Sequence, residues 1–199
     1  MNRQRAAGKI AAMILDGADA AVRKVAGVML CGADCEPLLR DRWSELTQLF
    51  AFAGCAMFLK KTLPLLLPDY LGFLNAVYER VLMQLAERAD ARFQRRDERD
   101  RVAGRESPAS KGELLDELTA FLVYYRDFRH VVGDERYAGT YGYETGRRAA
   151  QIVDRPDDIG IIGVAASMTY SILRIDDVNA VMRTVYALPE APALAASGD

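Results

Sequence analysis

The sequence predicts an all-α protein, folded as a single-domain bundle of about seven or eight helices. Apolar residues recur at steps of three and four along much of the 199-residue chain, which is the spacing of one face of an α-helix. Glycines, prolines and capping residues divide this pattern into segments of helix length. An apolar fraction of 51% with 27% charged residues is typical of a globular domain rather than of a disordered chain.

The first three predicted helices are bounded by a short sequence echo. The pentapeptide LDGAD at 15–19 returns as LCGAD at 30–34. Each copy offers a glycine where a helix can end and an aspartate where the next helix can be capped. We therefore expect helices over 3–15, 20–30 and 35–61.

Residues 46–85 form the most apolar stretch of the chain. The pair Lys60 and Lys61 divides it into pieces shorter than the roughly 20 apolar residues that a bilayer requires. The stretch therefore predicts a buried helix pair and no transmembrane segment. Contact of residues 63–74 with a membrane surface stays open.

A fourth helix is predicted to begin near Asp69, which suits an N-cap. Its core face consists of Leu71, Leu74, Tyr78, Val81, Leu85 and Ala89. The apolar stripe ends at Phe93, and a charged linker, rich in Gly, Ser and Pro towards its end, is expected near 94–112.

The fifth predicted helix opens with the capping pair Ser110 and Glu113. Its apolar residues alternate between steps of four and three as far as Val132, which is the spacing found where two long helices pack side by side. This face supplies the candidate interface residues, which are Leu114, Leu118, Phe121, Tyr125 and Phe128.

A sixth helix is predicted over 134–153, with three glycines on one side. Gly139, Gly142 and Gly146 weaken an isolated helix but let a neighbouring backbone come close. Close helix packing, with Gly160 and Gly163 as the expected counterparts, accounts for them better than a phosphate-binding loop, which needs a preceding strand.

The remaining residues predict two helices and a tail. Segment 159–173 holds no charged residue and favours a buried helix, with a strand as the alternative. Asp176 or Asp177 caps a last helix through Tyr186. One helical domain therefore covers 1–188, and 189–199 is expected to be disordered.

Composition excludes several classes of function. A net charge of −2 and a pI near 5.6 give no global attraction to nucleic acid or anionic lipid. Three cysteines do not make a disulfide framework, and with His130 as the only histidine they do not predict a zinc site. We expect no metal, no cofactor and, because the N-terminal apolar run stops at Asp16, a cytoplasmic location.

The enzyme alternative rests on a cluster of reactive polar residues between 126 and 148. Arg126 and His130 share a helix face and are suited to holding a phosphate and moving a proton. The catalytic candidates are Arg126, His130, Tyr141, Glu144 and Arg148. They would serve a phosphorylated or nucleotide substrate, and carboxylates such as Glu113 and Asp116 are the competing choice.

The nucleic-acid alternative rests on four arginines along one face at the end of the fourth helix. These are Arg88, Arg92, Arg95 and Arg99. They could meet successive phosphates of a nucleic acid bound by a small subunit of a larger complex, but four acidic residues lie in the same stretch. A solvated, salt-bridged helix end is the favoured interpretation.

The leading functional prediction is non-enzymatic. The regular apolar faces and the lack of a convincing nucleophile, base or metal set favour a helical protein-interaction module or accessory subunit. We expect it to self-associate or to bind a protein partner.

Overall fold

The computed structural model describes residues 2–29, 35–63, 68–94, 111–128 and 138–186. About 87% of the described residues are helical, and none of them is in a strand. The described helices are α1 (Arg3–Met29), α2 (Cys35–Thr62), α3 (Tyr70–Gln94), α4 (Lys111–Tyr125), α5 (Tyr141–Ile152), α6 (Ile159–Ser171) and α7 (Ile175–Tyr186). The all-α prediction is confirmed; seven helices are described, or six if α6 and α7 are counted as one.

The core is built around α1 and α2. Helix α1 packs against α2, α3, α6 and α7, and α2 also contacts α3, α4, α5 and α6. Every side chain from 49 to 58 in α2 is buried, which confirms that the apolar stretch forms the centre of the core. The helix that packs most extensively on α2 is α1, however, and not the predicted partner α3.

The predicted break between residues 15 and 20 is wrong, because α1 runs through it without interruption. Gly17 is not a helix end but a contact point with the junction between α6 and α7. A Cβ atom placed on Gly17 would lie 2.9 Å from both Cα and carbonyl C of Ile172 and closer still to its oxygen. Glycine is therefore required here for close approach and not for a left-handed turn.

The α6–α7 junction also presses on the middle of α2. A Cβ on Gly54 would lie 2.9 Å from Cγ2 of Ile172 and 2.8 Å from Cγ2 of Ile14. Ile172 thus lies against one glycine on each of the two central helices. The Lys61 ammonium donates to the Leu173 carbonyl at 2.6 Å and adds a polar contact at the same junction.

Helices α5 and α6 pack closely through the glycines of α5, as predicted. A Cβ on Gly146 would lie 3.2 Å from the carbonyl carbon of Ile162, and one on Gly142 would lie 3.1 Å from the Ala166 oxygen. The predicted counterparts, Gly160 and Gly163, are wrong, because α6 meets Gly146 with the backbone of Ile162 and meets Gly142 with the Tyr170 ring and the Ala166 carbonyl.

Several predicted boundaries differ from the structure. Helix α5 begins at Tyr141 rather than 134; Thr140 is its N-cap, and Gly139 precedes it in a turn with φ of +81°. Helix α4 ends at Tyr125, and 126–128 form a turn. The echo at 30–34, Ser110, Val132 and the predicted tail lie outside the described residues.

The predicted face of α3 is largely correct, with one exception. Leu74, Tyr78, Val81 and Leu85 are buried, but Leu71 is 69% exposed. Its place is taken by Phe73, which packs against Phe58 of α2 and Tyr186 of α7.

Asp69 adopts a left-handed φ of +54° rather than the extended geometry of a usual N-cap and pairs with Arg3. The side chain of Ala89 is not among those described.

The segment 159–173 forms helix α6 and its exit, so the strand alternative is wrong. Asp158 caps α6 by accepting a hydrogen bond from the Ile161 amide at 3.1 Å. The run Ile159–Tyr186 is long and apolar enough to cross a membrane by length and composition, which alone is weak evidence because buried core helices pass the same test.

Substituting the two glycines Gly17 and Gly27 tests the close packing at Ile172. Gly17→Ala should destabilise the protein by about 1–3 kcal/mol, because the added methyl meets backbone that cannot rotate away. Gly27→Ala, in the same helix with no atom within 4 Å, should be neutral or stabilising by up to about 1 kcal/mol. Urea unfolding measures both, and equal effects would contradict the packing role.

Candidate functional site

The predicted catalytic residues are only partly brought together. Tyr141, Glu144 and Arg148 lie along α5, and all three come close to Tyr125 of α4. Arg126 lies beyond the end of α4, fully exposed, and pairs with the neighbouring Asp127 at 3.2 Å. His130 lies outside the described residues.

Tyr141 is a core residue. Its side chain is completely buried, and its hydroxyl donates to the Ala53 carbonyl of α2 at 2.8 Å. Burial raises the pKa of Tyr141 well above its ordinary value, so the hydroxyl stays protonated at neutral pH. This position gives Tyr141 a structural role between α5 and α2.

Tyr125, at the end of α4, is the residue that Tyr141, Glu144 and Arg148 of α5 share as a neighbour. Burial, opposed by the nearby Arg148, raises the pKa of Tyr125 to about 12. A phenol with such a pKa is a donor at neutral pH and not a base. Glu144 is engaged at the start of α5, where it accepts a hydrogen bond from the Gly139 amide at 3.3 Å and pairs with Arg147 at 3.3 Å.

Of the four arginines predicted to contact phosphate, the structure describes the side chain of Arg88. Its guanidinium pairs with Asp19 of α1 at 3.0 Å, and both side chains are partly buried. Arg88 therefore links α3 to α1. The side chain of Arg92, together with Arg95 and Arg99, lies outside the described part of the chain.

Three of the candidate acidic residues have structural partners. Asp154 lies 3.6 Å from Arg42, Asp177 lies 3.9 Å from Arg174, and Asp158 caps α6. Among the described residues no group of three or more His, Cys, Asp or Glu side chains is arranged to hold a metal ion. Cys55 is buried and reduced, and burial raises the pKa of its thiol.

The predicted interface face of α4 is used inside the chain. Leu114, Leu118, Phe121 and Tyr125 are buried, and Phe128 packs against the same core with partial exposure. Helix α4 contacts α2 and α3 through this face. The four buried residues are therefore unavailable to a second chain in the folded state, and Phe128 stays partly exposed.

A second apolar strip of α4 flanks its buried face, and we call it the outer stripe. It consists of Leu115, Thr119, Leu122 and Val123, of which Leu122 packs partly against the core. Leu115 is 48% exposed and Val123 is 60% exposed, while Thr119 turns its hydroxyl back to the Leu115 carbonyl at 2.8 Å. The four positions recur at helical spacing, and the exposed Asp116, seven residues before Val123, borders them.

A groove of about 430 Å³ lies where α2, α4 and α5 meet. Its lining residues are Glu45, Gln48, Leu49, Phe52, Glu117, Phe121, Arg148 and Ile152. Phe52 and Phe121 meet edge to face, with ring centroids 5.9 Å apart. The Gln48 amide donates to the Glu117 carboxylate, and the Arg148 guanidinium lies 5.9 Å from the Phe121 ring centroid.

Sequence reasoning missed the groove as a site. Arg148 was predicted as a catalytic residue and Phe121 as an interface residue, whereas Glu45 and Gln48 were not predicted to have a functional role. The available signal was the placement of Glu45, Gln48 and Phe52 on one face of α2 at steps of three and four.

Two exposed leucines bear on the expected membrane-surface contact. Leu63 is 54% exposed and Leu71 is 69% exposed, and both fall within residues 63–74. The exposure of these two side chains does not show what they contact, so membrane contact stays a prediction.

No protein-family model, curated protein or solved structure matches this chain.

Alkaline titration tests the buried phenols and the buried thiol. Their pKa values are raised in the folded state by burial, so the unfolded chain releases these protons at lower pH. These groups should therefore leave the free energy of unfolding unchanged below about pH 9. It should fall above that pH, where the Cys55 thiol ionises in the unfolded chain, and fall more steeply above about pH 10, where the phenols ionise there. Unfolding followed by circular dichroism should coincide with the part of the tyrosinate absorbance that comes from the buried phenols.

Tyr141→Phe should make the fall of the free energy of unfolding at alkaline pH less steep, because it removes one buried phenol. At neutral pH it should lower the free energy of unfolding by about 1 kcal/mol, because the hydrogen bond to the Ala53 carbonyl is lost. Tyr124→Phe, at a side chain that is 58% exposed, is the matched control and should change neither quantity. The absorbance of Tyr141 is the difference between the wild type and Tyr141→Phe, and a rise of that difference near pH 10 before the helices unfold would show that this phenol is accessible.

Proposed function

We propose that this protein is a helical interaction module that binds a second copy of itself through the outer stripe of α4. The observation that carries the proposal is the exposure of Leu115 and Val123 on a helix whose adjacent face is already buried. Exposed apolar surface of this kind is a liability in a monomer and is typical of a contact surface.

The outer stripe is self-complementary about Thr119. Leu115 and Val123 lie four residues on either side of it, and Thr119 and its neighbour Ala120 are short and exposed. In an antiparallel, two-fold pairing centred there, Leu115 of one copy meets Val123 of the other, and Thr119 meets Thr119. Short residues at the centre allow the two helices to approach closely.

The size of the stripe sets the expected strength of the dimer. A helix of 15 residues is about 22 Å long, and the stripe covers one face of it. Such a contact is smaller than a standard protein interface, so we expect a weak, concentration-dependent dimer.

The alternatives have less support among the described residues. Tyr141 is buried in the core and Arg126 is paired at the surface, so they do not line a common cavity for a phosphorylated substrate. Arg88 pairs with Asp19, so a phosphate would have to compete with that ion pair, and the predicted phosphate-binding row stays a prediction. An activity that depends on His130 stays a prediction from sequence.

Sedimentation velocity over a concentration series tests the proposed dimer. The wild-type protein should shift from monomer to dimer as concentration rises. Val123→Lys should remain monomeric, because the pairing would bury a charge on each side of the two-fold axis. A change at Leu63, similarly exposed but outside α4, is the matched control, and Leu63→Lys should dimerise as the wild type does.

Two results would contradict the proposal. One is a wild-type protein that stays monomeric over the whole series. The other is a Val123→Lys variant that is folded by circular dichroism and associates as strongly as the wild type.

A further inference from the structure

Four helix termini meet at one end of the bundle, which we call the basic end. Arg3 of α1 pairs with Asp69, just before α3, and its guanidinium carbon lies 5.6 Å from the centroid of the Tyr186 ring, at the end of α7. The Thr62 hydroxyl, at the end of α2, lies 2.7 Å from the Tyr70 hydroxyl of α3. The basic end comprises residues 3–6, 59–63, 68–73 and 183–186.

Basic residues dominate the charge of this end. They are Arg3, Arg5, Lys60, Lys61 and Arg183. The one acidic residue in the same four ranges is Asp69, whose carboxylate pairs with Arg3. Five basic residues and one acidic residue give this end a net charge of +4, whereas the whole chain has a net charge of −2.

Helix geometry alone does not account for this charge. The three basic residues at the ends of α2 and α7 lie where the helix dipole favours cations. Arg3 and Arg5 lie in the first turn of α1, where the same dipole disfavours them, and the first turns of α1 and α3 contain no acidic residue. A positive charge that the helices do not require indicates an anionic partner outside the chain.

Two exposed leucines belong to the same end. Leu63 is 54% exposed and Leu71 is 69% exposed. Each directly follows one of the two residues whose hydroxyls meet, Thr62 and Tyr70. A nucleic acid would offer phosphates to the cations but no apolar region to the leucines, whereas a bilayer of anionic lipids offers both.

We propose that the basic end docks on the surface of an anionic lipid bilayer. Leu63 and Leu71 enter the boundary between the headgroups and the acyl chains, and the lysine and arginine side chains meet the anionic headgroups. Helix ends make this contact, so the apolar core stays inside the bundle. Two leucines and a small net charge give reversible attachment and not permanent anchoring.

Membrane docking is independent of the proposed dimer, because α4 contributes no residue to the basic end. Co-sedimentation with lipid vesicles tests the docking. The wild type should bind vesicles of equal parts phosphatidylserine and phosphatidylcholine but not vesicles of phosphatidylcholine alone, and raising the salt concentration should weaken binding. Val123→Lys should bind the phosphatidylserine vesicles as the wild type does.

A leucine variant tests the apolar part of the contact. Leu71→Ser should bind the phosphatidylserine vesicles about tenfold more weakly, because it removes one of the two apolar side chains that enter the bilayer. Ile159→Ser is the matched control. Ile159 is 83% exposed at the start of α6, outside the basic end, so its substitution should leave vesicle binding unchanged.

A charge variant tests the electrostatic part. Arg5→Gln combined with Lys60→Gln should bind the same vesicles at least about tenfold more weakly, because two exposed cations of the basic end are lost. Arg23→Gln combined with Lys24→Gln removes two exposed cations from farther along α1 and should bind as the wild type does.

Tryptophan quenching by brominated lipid shows which end faces the bilayer. Leu71→Trp should be quenched by phosphatidylserine vesicles that contain brominated acyl chains, because the new indole enters the bilayer. Ile159→Trp should not be quenched. Trp43, the one tryptophan of the chain, gives the same background in both variants.

The proposal is overturned if the wild type does not bind phosphatidylserine vesicles, or binds both kinds of vesicle equally. Equal quenching of the two tryptophan variants would also overturn it. So would folded Leu71→Ser that binds as tightly as the wild type, because the basic end would then be a general site for polyanions such as RNA. If circular dichroism shows that Leu71→Ser is unfolded, Leu63→Ser replaces it with the same two outcomes.

Discussion

The bundle depends on the close approach of Ile172 to a glycine on each of its two central helices. Backbone atoms of Ile172 occupy the space where Gly17 would carry a side chain, and its Cγ2 atom lies against Gly54. Gly17 meets the backbone of Ile172, and Gly54 meets its β-branched side chain. Neither glycine can therefore carry a methyl group unless Ile172 moves. The junction of α6 and α7 is thereby seated on both α1 and α2.

That seating determines where the rest of the chain lies. Helix α5 follows α6 through its own close contacts at Gly142 and Gly146, and Tyr141 then reaches Ala53 on α2. This arrangement brings α5 alongside α2 and α4 and forms the groove with Arg148 at one end. Helix α4 contacts α2 and α3 along one face, so its outer stripe is exposed at the edge of the bundle.

The parts of this fold that follow local rules were predictable from sequence. Periodic apolar residues gave the buried faces of α3 and α4, and the uncharged segment gave α6. Gly17 was misinterpreted because a glycine that ends a helix and a glycine that admits a neighbouring backbone have the same local sequence signal. Only the position of Ile172, distant in sequence, distinguishes them. Likewise, the glycines of α5 indicated close packing, but not that Ile162 and Ala166 would be opposite.

The groove was not predictable for a related reason. Its polar residues come from three helices, and each has an ordinary local explanation as a surface residue of its own helix. Their position around one groove depends on the relative direction of those helices, which tertiary contacts set. Tyr141 is the opposite case. Its phenol was a catalytic candidate from sequence, but it lies in the core and donates a hydrogen bond to the Ala53 carbonyl of α2.

Native-state hydrogen exchange tests the central claim most directly, since it reports the stability of each helix separately. If the contacts of Ile172 hold the bundle together, amides near Gly17 and Gly54 should exchange only through global unfolding, with protection equal to the free energy of unfolding measured in urea. Amides of α4, at the edge, should exchange through smaller openings. Central amides of α1 that exchange more readily than those of α4 would contradict this account.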